Sequence, residues 1–277
     1  TMGGGGWHTS PVTVTLTATD ATSGVAGMTI DGVAYTAPVV ITTEGSSTHG
    51  FNAVDVAGNV EAAQSFALQI DTVAPSSAIT SPASGPASGV VTLSGTASDA
   101  TSGMAGVDIS IDGGATWNAT GGATTWAHTR DTTLLPDGNL TFIVRASDVA
   151  GNAQPTSGAG STSITLLVDN TAPSVSLSGN PLTFCPVCGG SSDLTYAASD
   201  GGSGVQSWAL EVVGVGTLAS GSGDVSSAHN WNGAGLPLGP YTARLSVVDA
   251  AGNTAEQSVA LNLLPNIPTV SLNLGCP

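Results

Sequence analysis

Apolar and polar side chains alternate with a period of two in many short stretches of the chain, which is the pattern of half-buried β-strands. In residues 12–19, valine, leucine and alanine alternate with threonine, and residues 140–147 and 241–247 repeat the pattern. No stretch follows the 3.6-residue period of an amphipathic helix. The pattern predicts an all-β fold, with further strands at 25–30, 39–43, 49–54, 66–70, 76–80, 90–98, 163–168, 174–178, 194–199 and 258–263.

Two short turn motifs separate these strands, and each occurs three times. Asp-x-x-Ser-Gly begins at Asp20, Asp99 and Asp200. Asp-x-Ala-Gly-Asn begins at Asp55, Asp148 and Asp249. The two motifs are 49 residues apart in the second copy and again 49 in the third. This constant spacing indicates that one supersecondary unit has been repeated along the chain.

The repeat also predicts the domain boundaries. Asp-x-x-Ala-Pro segments at 71–75 and 169–173 read as linkers, because proline cannot donate to a β-ladder. From Pro75 to Pro173 is 98 residues, and from Pro173 to Pro268 is 95, close to the ~100 residues of a β-sandwich. We therefore predict three tandem domains, followed by a spare segment. Their bounds are 1–73, 74–171, 172–264 and 265–277.

The paired turns and the Asp-x-x-Ala-Pro linkers resemble the bacterial immunoglobulin-like repeats of large secreted and cell-surface proteins. The resemblance covers nearly the whole chain. It implies seven-strand immunoglobulin-like β-sandwiches arranged end to end, and an extracellular or bacterial cell-surface location. Such repeats serve as stalks, adhesins, fibres and accessory modules of exported enzymes, so the fold alone does not choose among these functions.

The two ends of the chain are out of phase with the repeat. In the second and third copies the first turn motif begins 24 or 27 residues after the linker proline, whereas 19 residues precede Asp20. Residues 1–11 match the loop after the opening strand, so we expect the first domain to lack that strand. Residues 269–274 match the opening strand of the third copy, with Val270, Leu272 and Leu274 alternating along it.

Two interpretations of this mismatch remain open. In one, the chain is a section of a longer array, cut slightly out of phase with its domains, and its partners are neighbouring repeats. In the other, strand 269–274 fills the vacant edge of the first domain of the next molecule, and copies assemble head to tail. Both predict a rod-like extracellular structural or adhesive protein. A third function, a glycan-binding or spacer module of a larger exported enzyme, is the alternative.

The charge excludes two classes of partner. The chain has three basic residues, all arginine, against 19 acidic ones, which gives a net charge of −16. It would be repelled by nucleic acid and by anionic membrane surfaces. No apolar run reaches the roughly 18 residues that a membrane span requires. We therefore expect no nucleic acid partner, no membrane insertion, and a mature or excised piece of a secreted protein.

Fifteen of the acidic residues are aspartate. A short carboxylate is favoured where it caps its own turn or where it binds calcium. One aspartate per turn satisfies capping, which is the expected role. The alternative is a calcium cofactor, which needs several oxygens converging at about 2.3–2.6 Å. The candidate ligands are Asp20, Asp55, Asp71, Asp99, Asp148, Asp169, Asp200 and Asp249.

The cysteines predict a disulfide rather than a metal site. Cys185 and Cys188 lie three positions apart, which suits a short-range disulfide in a secreted chain. Zinc would need four ligands, and there is no second pair. Cys276 is left over, which fits either an intermolecular bridge or a partner in a neighbouring repeat.

The remaining motifs predict little chemistry. Residues 110–117 match the Asp-box pattern of sialidase-type propellers, but a hairpin covered by Trp117 explains them more simply. The tryptophans either stack on glycans or fill cores. Asn118 and Asn139 begin glycosylation sequons. The four histidines are scattered and form no Ser/His/Asp pattern, so we expect no catalytic residues and no enzyme.

Overall fold

A computed structural model describes residues 2–266. This range contains 22 β-strands, two short 3₁₀ helices at Gly4–Gly6 and Pro186–Cys188, and no α-helix. The all-β prediction is confirmed. Contacts group the chain into two units. The linker at 71–75 lies within the first unit and the linker at 169–173 within the second.

The first repeat forms two small sheets. Its strands are β1 (Val12–Val14), β2 (Val25–Ile30), β3 (Val33–Ala34), β4 (Val39–Ile41), β5 (Gly45–Asp55) and β6 (Gln64–Ile70). β1 pairs antiparallel with β4, and the other four form a sheet in the order β3-β2-β5-β6. Three buried residues form its core, Ile41, Leu68 and Ile70, with valines of β1 and β4 and Phe66 packed against them.

The second repeat contains eight strands. They are β7 (Ser76–Ser81), β8 (Pro86–Ala87), β9 (Val90–Ser98), β10 (Met104–Ser110), β11 (Asn118–Ala119), β12 (Thr125–Asp131), β13 (Gly138–Asp148) and β14 (Thr162–Val168). One sheet has the order β12-β9-β7 and the other β11-β10-β13-β14-β8. Alternating residues of β9 and β13 are buried, so the two-residue period of the sequence marks the core-facing side.

The third repeat has the same plan. Its strands are β15 (Ser174–Asn180), β16 (Thr183–Phe184), β17 (Ser192–Ser199), β18 (Val205–Val212), β19 (Gly216–Gly221), β20 (Val225–Trp231), β21 (Gly239–Asp249) and β22 (Thr254–Leu263). The sheets run β15-β17-β20 and β16-β22-β21-β18-β19. Fourteen buried residues form its core cluster, which is much larger than the three-residue cluster described for the first repeat.

The strand predicted at 12–19 ends at Val14, and its partners explain why. In the third repeat, β17 is paired along its length by β15 on one side and β20 on the other. In the first repeat, β4 pairs with only three residues, and no described strand flanks residues 15–19 on the other side. The Leu16 N–H donates instead to the Tyr35 hydroxyl at 3.1 Å. Without strands to pair with, the alternating sequence cannot extend the ladder.

Candidate functional site

The aspartate of each Asp-x-x-Ser-Gly turn accepts hydrogen bonds from its own turn. Asp20 Oδ1 accepts the backbone N–H groups of Thr22, Ser23 and Gly24 at 3.1, 2.7 and 2.8 Å. These bonds, led by that of Gly24, lower the pKa of Asp20. Equivalent N–H groups are bound by Asp99 and by Asp200. Turn capping therefore accounts for the position of this aspartate in all three repeats.

The Asp-x-Ala-Gly-Asn turns are closed in the same way. Asp148 Oδ1 accepts the N–H groups of Gly151 and Asn152 at 2.7 and 2.8 Å, and its Oδ2 accepts the Asn152 side-chain amide at 2.9 Å. Asp249 and Asn253 repeat the aspartate–asparagine bonds in the third copy. In the first copy, Asn59 makes them to Asp55 and lowers the pKa of that carboxyl, chiefly through its side chain.

The same turns hold the linker that precedes their repeat. The Asn152 amide also donates to the carbonyls of Asp71 and Val73, at 2.9 and 3.4 Å. The Ser102 N–H donates to Asp71 Oδ2 at 3.0 Å. The third repeat has the matching bonds from Asn253 to Asp169 and Thr171, and from Ser203 to Asp169. Both linkers are thus fastened by the same donors and acceptors.

Fastening the linkers brings three carboxylates together at each join. Carboxylate oxygens of Asp71, Asp99 and Asp148 lie within 4.8 Å of one another, and so do those of Asp169, Asp200 and Asp249. We call these the junction triads. In each, the linker aspartate and the second-turn aspartate are buried, and the first-turn aspartate is half-buried. The sequence motifs predicted the turns but not this convergence.

The donor set of a junction triad suits calcium. Three carboxylates this close together, two of them buried, repel each other strongly. Hard oxygen ligands with surplus negative charge are what calcium prefers. Six of the eight predicted calcium ligands meet in this way. Asp20 and Asp55 belong to no group of three acids among residues 2–266. They correspond to the two turn aspartates of a triad without the linker aspartate.

An open groove lies beside residues 16–20 of the first repeat. It is a cavity of about 560 Å³ lined by residues 16–20, by the end of β5 and by residues 59–61. Aligning the first turn motifs places residues 15–19 on residues 195–199, which pair with β15 in the third repeat. The groove therefore lies where the opening strand lies in the other two copies.

A hydrogen-bonded chain of Ser47, His49 and Asp31 corrects the expectation that no Ser/His/Asp arrangement would form. Ser47 Oγ lies 2.9 Å from His49 Nε2, and His49 Nδ1 lies 2.7 Å from Asp31 Oδ2. The bond to His49 lowers the pKa of Asp31. His49 faces Phe66 across the β5–β6 ladder and stacks on it. Satisfying both ring nitrogens lets a histidine occupy this core-facing position.

The other predicted residues lie apart from the junctions. Cys185 and Cys188 form a disulfide. In the Asp-box segment, the Trp117 ring is covered by Arg145 of β13, whose guanidinium lies 4.1 Å from the centre of the ring. Trp126 and Trp231 are buried in cores. Asn118 in β11 and Asn139 in β13 are both exposed. Four predicted residues, Val270, Leu272, Leu274 and Cys276, lie outside the described range.

Two segments of the chain match known families of bacterial immunoglobulin-like domains. Residues 75–144 match the family described as Bacterial Ig domain, and residues 200–260 match the Bacterial Ig-like domain family. These two segments therefore match bacterial immunoglobulin-like families, and the predicted resemblance is confirmed. No curated protein matches the chain at a significant level. None of the helices in residues 2–266 has the length and apolar character needed to cross a membrane.

Several solved structures are similar in fold. The fibronectin(III)-like modules of Clostridium thermocellum CbhA match 68% of this chain and 93% of theirs, at 16% identity and a TM-score of 0.43. A structure solved for a 1.5-MDa bacterial ice-binding adhesin matches 88% of this chain and 86% of the solved chain, at 20% identity and a TM-score of 0.38. A tetra-tandem repeat from the extending region of a large adhesion protein matches 86% of this chain and 66% of its own, at 21% identity and a TM-score of 0.30. These similarities concern the fold alone.

Proposed function

We propose that the protein is a structural component of a bacterial surface or secreted adhesin, namely a subunit or segment of a stalk or fibre. The observation that carries this proposal is the repeated fastening of the linkers, in which Asn152 and Asn253 make the same contacts. A chain that transmits force needs equivalent joints, whereas a binding module needs one specialised surface. The bacterial Ig-like domains and the net charge of −16 support an extracellular location.

The junction triads are calcium sites in this proposal. Asp71, Asp99 and Asp148 would hold one ion, and the second triad would hold another. Bound calcium replaces the repulsion among three carboxylates by attraction to a common cation. It thereby couples the linker carboxylate to both turns of the following repeat. The hydrogen bonds to Asn152 and Asn253 position the linkers before the ion binds.

Copies of the protein assemble, in this proposal, by strand donation. Residues 269–274 of one molecule enter the groove of the first repeat of the next. The third-repeat register pairs Val175 with Ala198 and Leu177 with Tyr196. The equivalent register pairs Val270 with Ala18 and Leu272 with Leu16. Donation supplies a ladder for residues 15–19, which have no strand partner among the described residues.

Deletion of residues 265–277 tests strand donation. The full chain, kept under reducing conditions so that Cys276 forms no bridge, should give concentration-dependent head-to-tail oligomers by light scattering and electron microscopy. The deletion should leave monomers. The substitution Leu272→Asp is a milder variant and should have the same effect, because the strand would bury a charge. Fibres of unchanged length after the deletion would refute donation. Monodisperse full-length protein that binds glycans would favour the accessory-module alternative.

A further inference from the structure

One position of the repeat differs in chemistry among the three copies, and in the second repeat its side chain contacts the opening strand. It lies six residues after the aspartate of the second turn, at Glu61, Gln154 and Ala255. In the second repeat, Gln154 is 3% exposed. Its Oε1 accepts a hydrogen bond from the Ser77 hydroxyl of β7 at 2.7 Å. Its Nε2 donates to Thr162 Oγ1, which in turn donates to the Ser77 carbonyl. Gln154 therefore recognises a hydroxyl on the opening strand.

The third repeat has apolar residues at both equivalent positions. Ser77 lies two residues after the linker proline, and the residue two after the next linker proline is Val175. Val175 packs against the core of the third repeat. The residue that replaces Gln154 there is Ala255, which offers no side-chain hydrogen-bonding group. In both repeats the residue on the opening strand is therefore matched in polarity by the residue at this position. Ser77 and Gln154 are both polar, and Val175 and Ala255 are both apolar.

The first repeat places a carboxylate at this position. The Glu61 N–H donates to the Ala53 carbonyl at 2.8 Å, just as the Gln154 N–H donates to the Ala146 carbonyl at 2.9 Å. Glu61 lines the open groove and is exposed. A strand in the groove would cover it as β7 covers Gln154. Glu61 Oε1 already accepts a hydrogen bond from the Gln64 side-chain amide. A covered carboxylate requires further donors, because a buried charge that is only partly hydrogen-bonded is costly.

We propose that Glu61 makes the groove of the first repeat selective for a strand that carries a hydroxyl two residues after its proline. This inference rests on the proposed strand acceptance. Residues 268–274 of a second copy carry Val270 at that position, so this strand is a mismatched occupant. Replacing Val270 by serine should strengthen its binding by about ten-fold or more, since a hydrogen bond to a charged group is stronger than one between neutral groups.

The test uses the full chain and two fluorescent peptides spanning residues 266–275, one natural and one with Val270→Ser. Anisotropy titration should give tighter binding of the serine peptide. With Glu61→Ala the preference should invert. Glu256→Ala in the third repeat is the matched control for loss of one negative charge, and it should leave the ratio unchanged. If neither peptide binds, strand acceptance itself is refuted. If both bind equally, or Glu61→Ala leaves the ratio unaltered, strand acceptance stands and the selectivity is refuted.

Discussion

Replacing Asp99 by asparagine tests the junction triads directly. Asp99 Oδ1 accepts the N–H groups of Thr101 and Gly103 at 3.0 and 2.8 Å. An asparagine Oδ1 accepts the same bonds, and asparagine is as good a cap as aspartate. The substitution therefore keeps the turn and removes one charge of three. Asp200→Asn makes the same change in the second triad.

The size of the effect follows from the spacing of the charges. Unit charges within 4.8 Å of one another repel by about 3–4 kcal/mol per pair at an effective dielectric constant of about 20. Asp99→Asn removes two of the three pairs, so in the absence of calcium the variant should unfold at a higher temperature than the natural protein. Calcium at about 100 times its Kd should stabilise the natural triad by about 2.7 kcal/mol. That corresponds to roughly 10 °C, and the variant should lose most of it.

Differential scanning calorimetry in millimolar calcium and in EDTA measures both effects: the higher midpoint of the variant without calcium, and its smaller gain in midpoint with calcium. Asp20→Asn is the matched control, because Asp20 caps the same type of turn but belongs to no group of three acids in residues 2–266. Its midpoint should rise from EDTA to calcium by as much as that of the natural protein, because both triads are intact in this variant. The reasoning fails if the natural midpoint is the same in calcium and in EDTA. It also fails if Asp99→Asn is destabilising in EDTA.

Two further predictions follow from the turns. Asn152→Ala removes the donors to two linker carbonyls and should destabilise the second repeat by about 2–3 kcal/mol in denaturant unfolding. Asn59→Ala should cost only about 1 kcal/mol, because Asn59 has no linker contact among the described residues. Equal losses would contradict the linker role. The Thr116 hydroxyl and N–H lower the pKa of Asp112 to about 2. Because the folded pKa is depressed, the stabilising contribution of this carboxylate is complete above its ordinary pKa of 3.8 and declines as pH falls toward 2. Asp112→Asn should thus lower the thermal midpoint near neutral pH but progressively less in acid, and a constant difference would refute this.

The strands with local turn chemistry at both ends were predictable from the sequence. β2 and β9 begin and end where the alternating pattern and the flanking Asp turns predict. The Asp31-Gly32 hairpin is also encoded locally, because both residues adopt the positive φ that this dipeptide favours. In these cases the residues that stop the strand lie next to it in the chain.

Features that depend on distant partners were not predictable in the same way. The alternation of residues 12–19 is as regular as that of β9, yet it forms a strand only where β4 pairs with it. The junction triads join residues from a linker and two turns, so their convergence depends on topology. The Ser47–His49 spacing on one strand face was a usable signal, but the placement of Asp31 beside it follows from the β2–β5 register.

The scarcity of basic residues has a consequence for resistance to proteases. Trypsin-like proteases cleave after lysine or arginine, and this chain has no lysine and three arginines. All three arginines lie within strands, in β12, β13 and β21. Cleavage requires an extended segment that can leave its ladder and enter a protease cleft, and exposed loop tips are where this happens. The loops of this chain hold no such site, so digestion by this class of enzyme must wait for the sandwiches themselves to open.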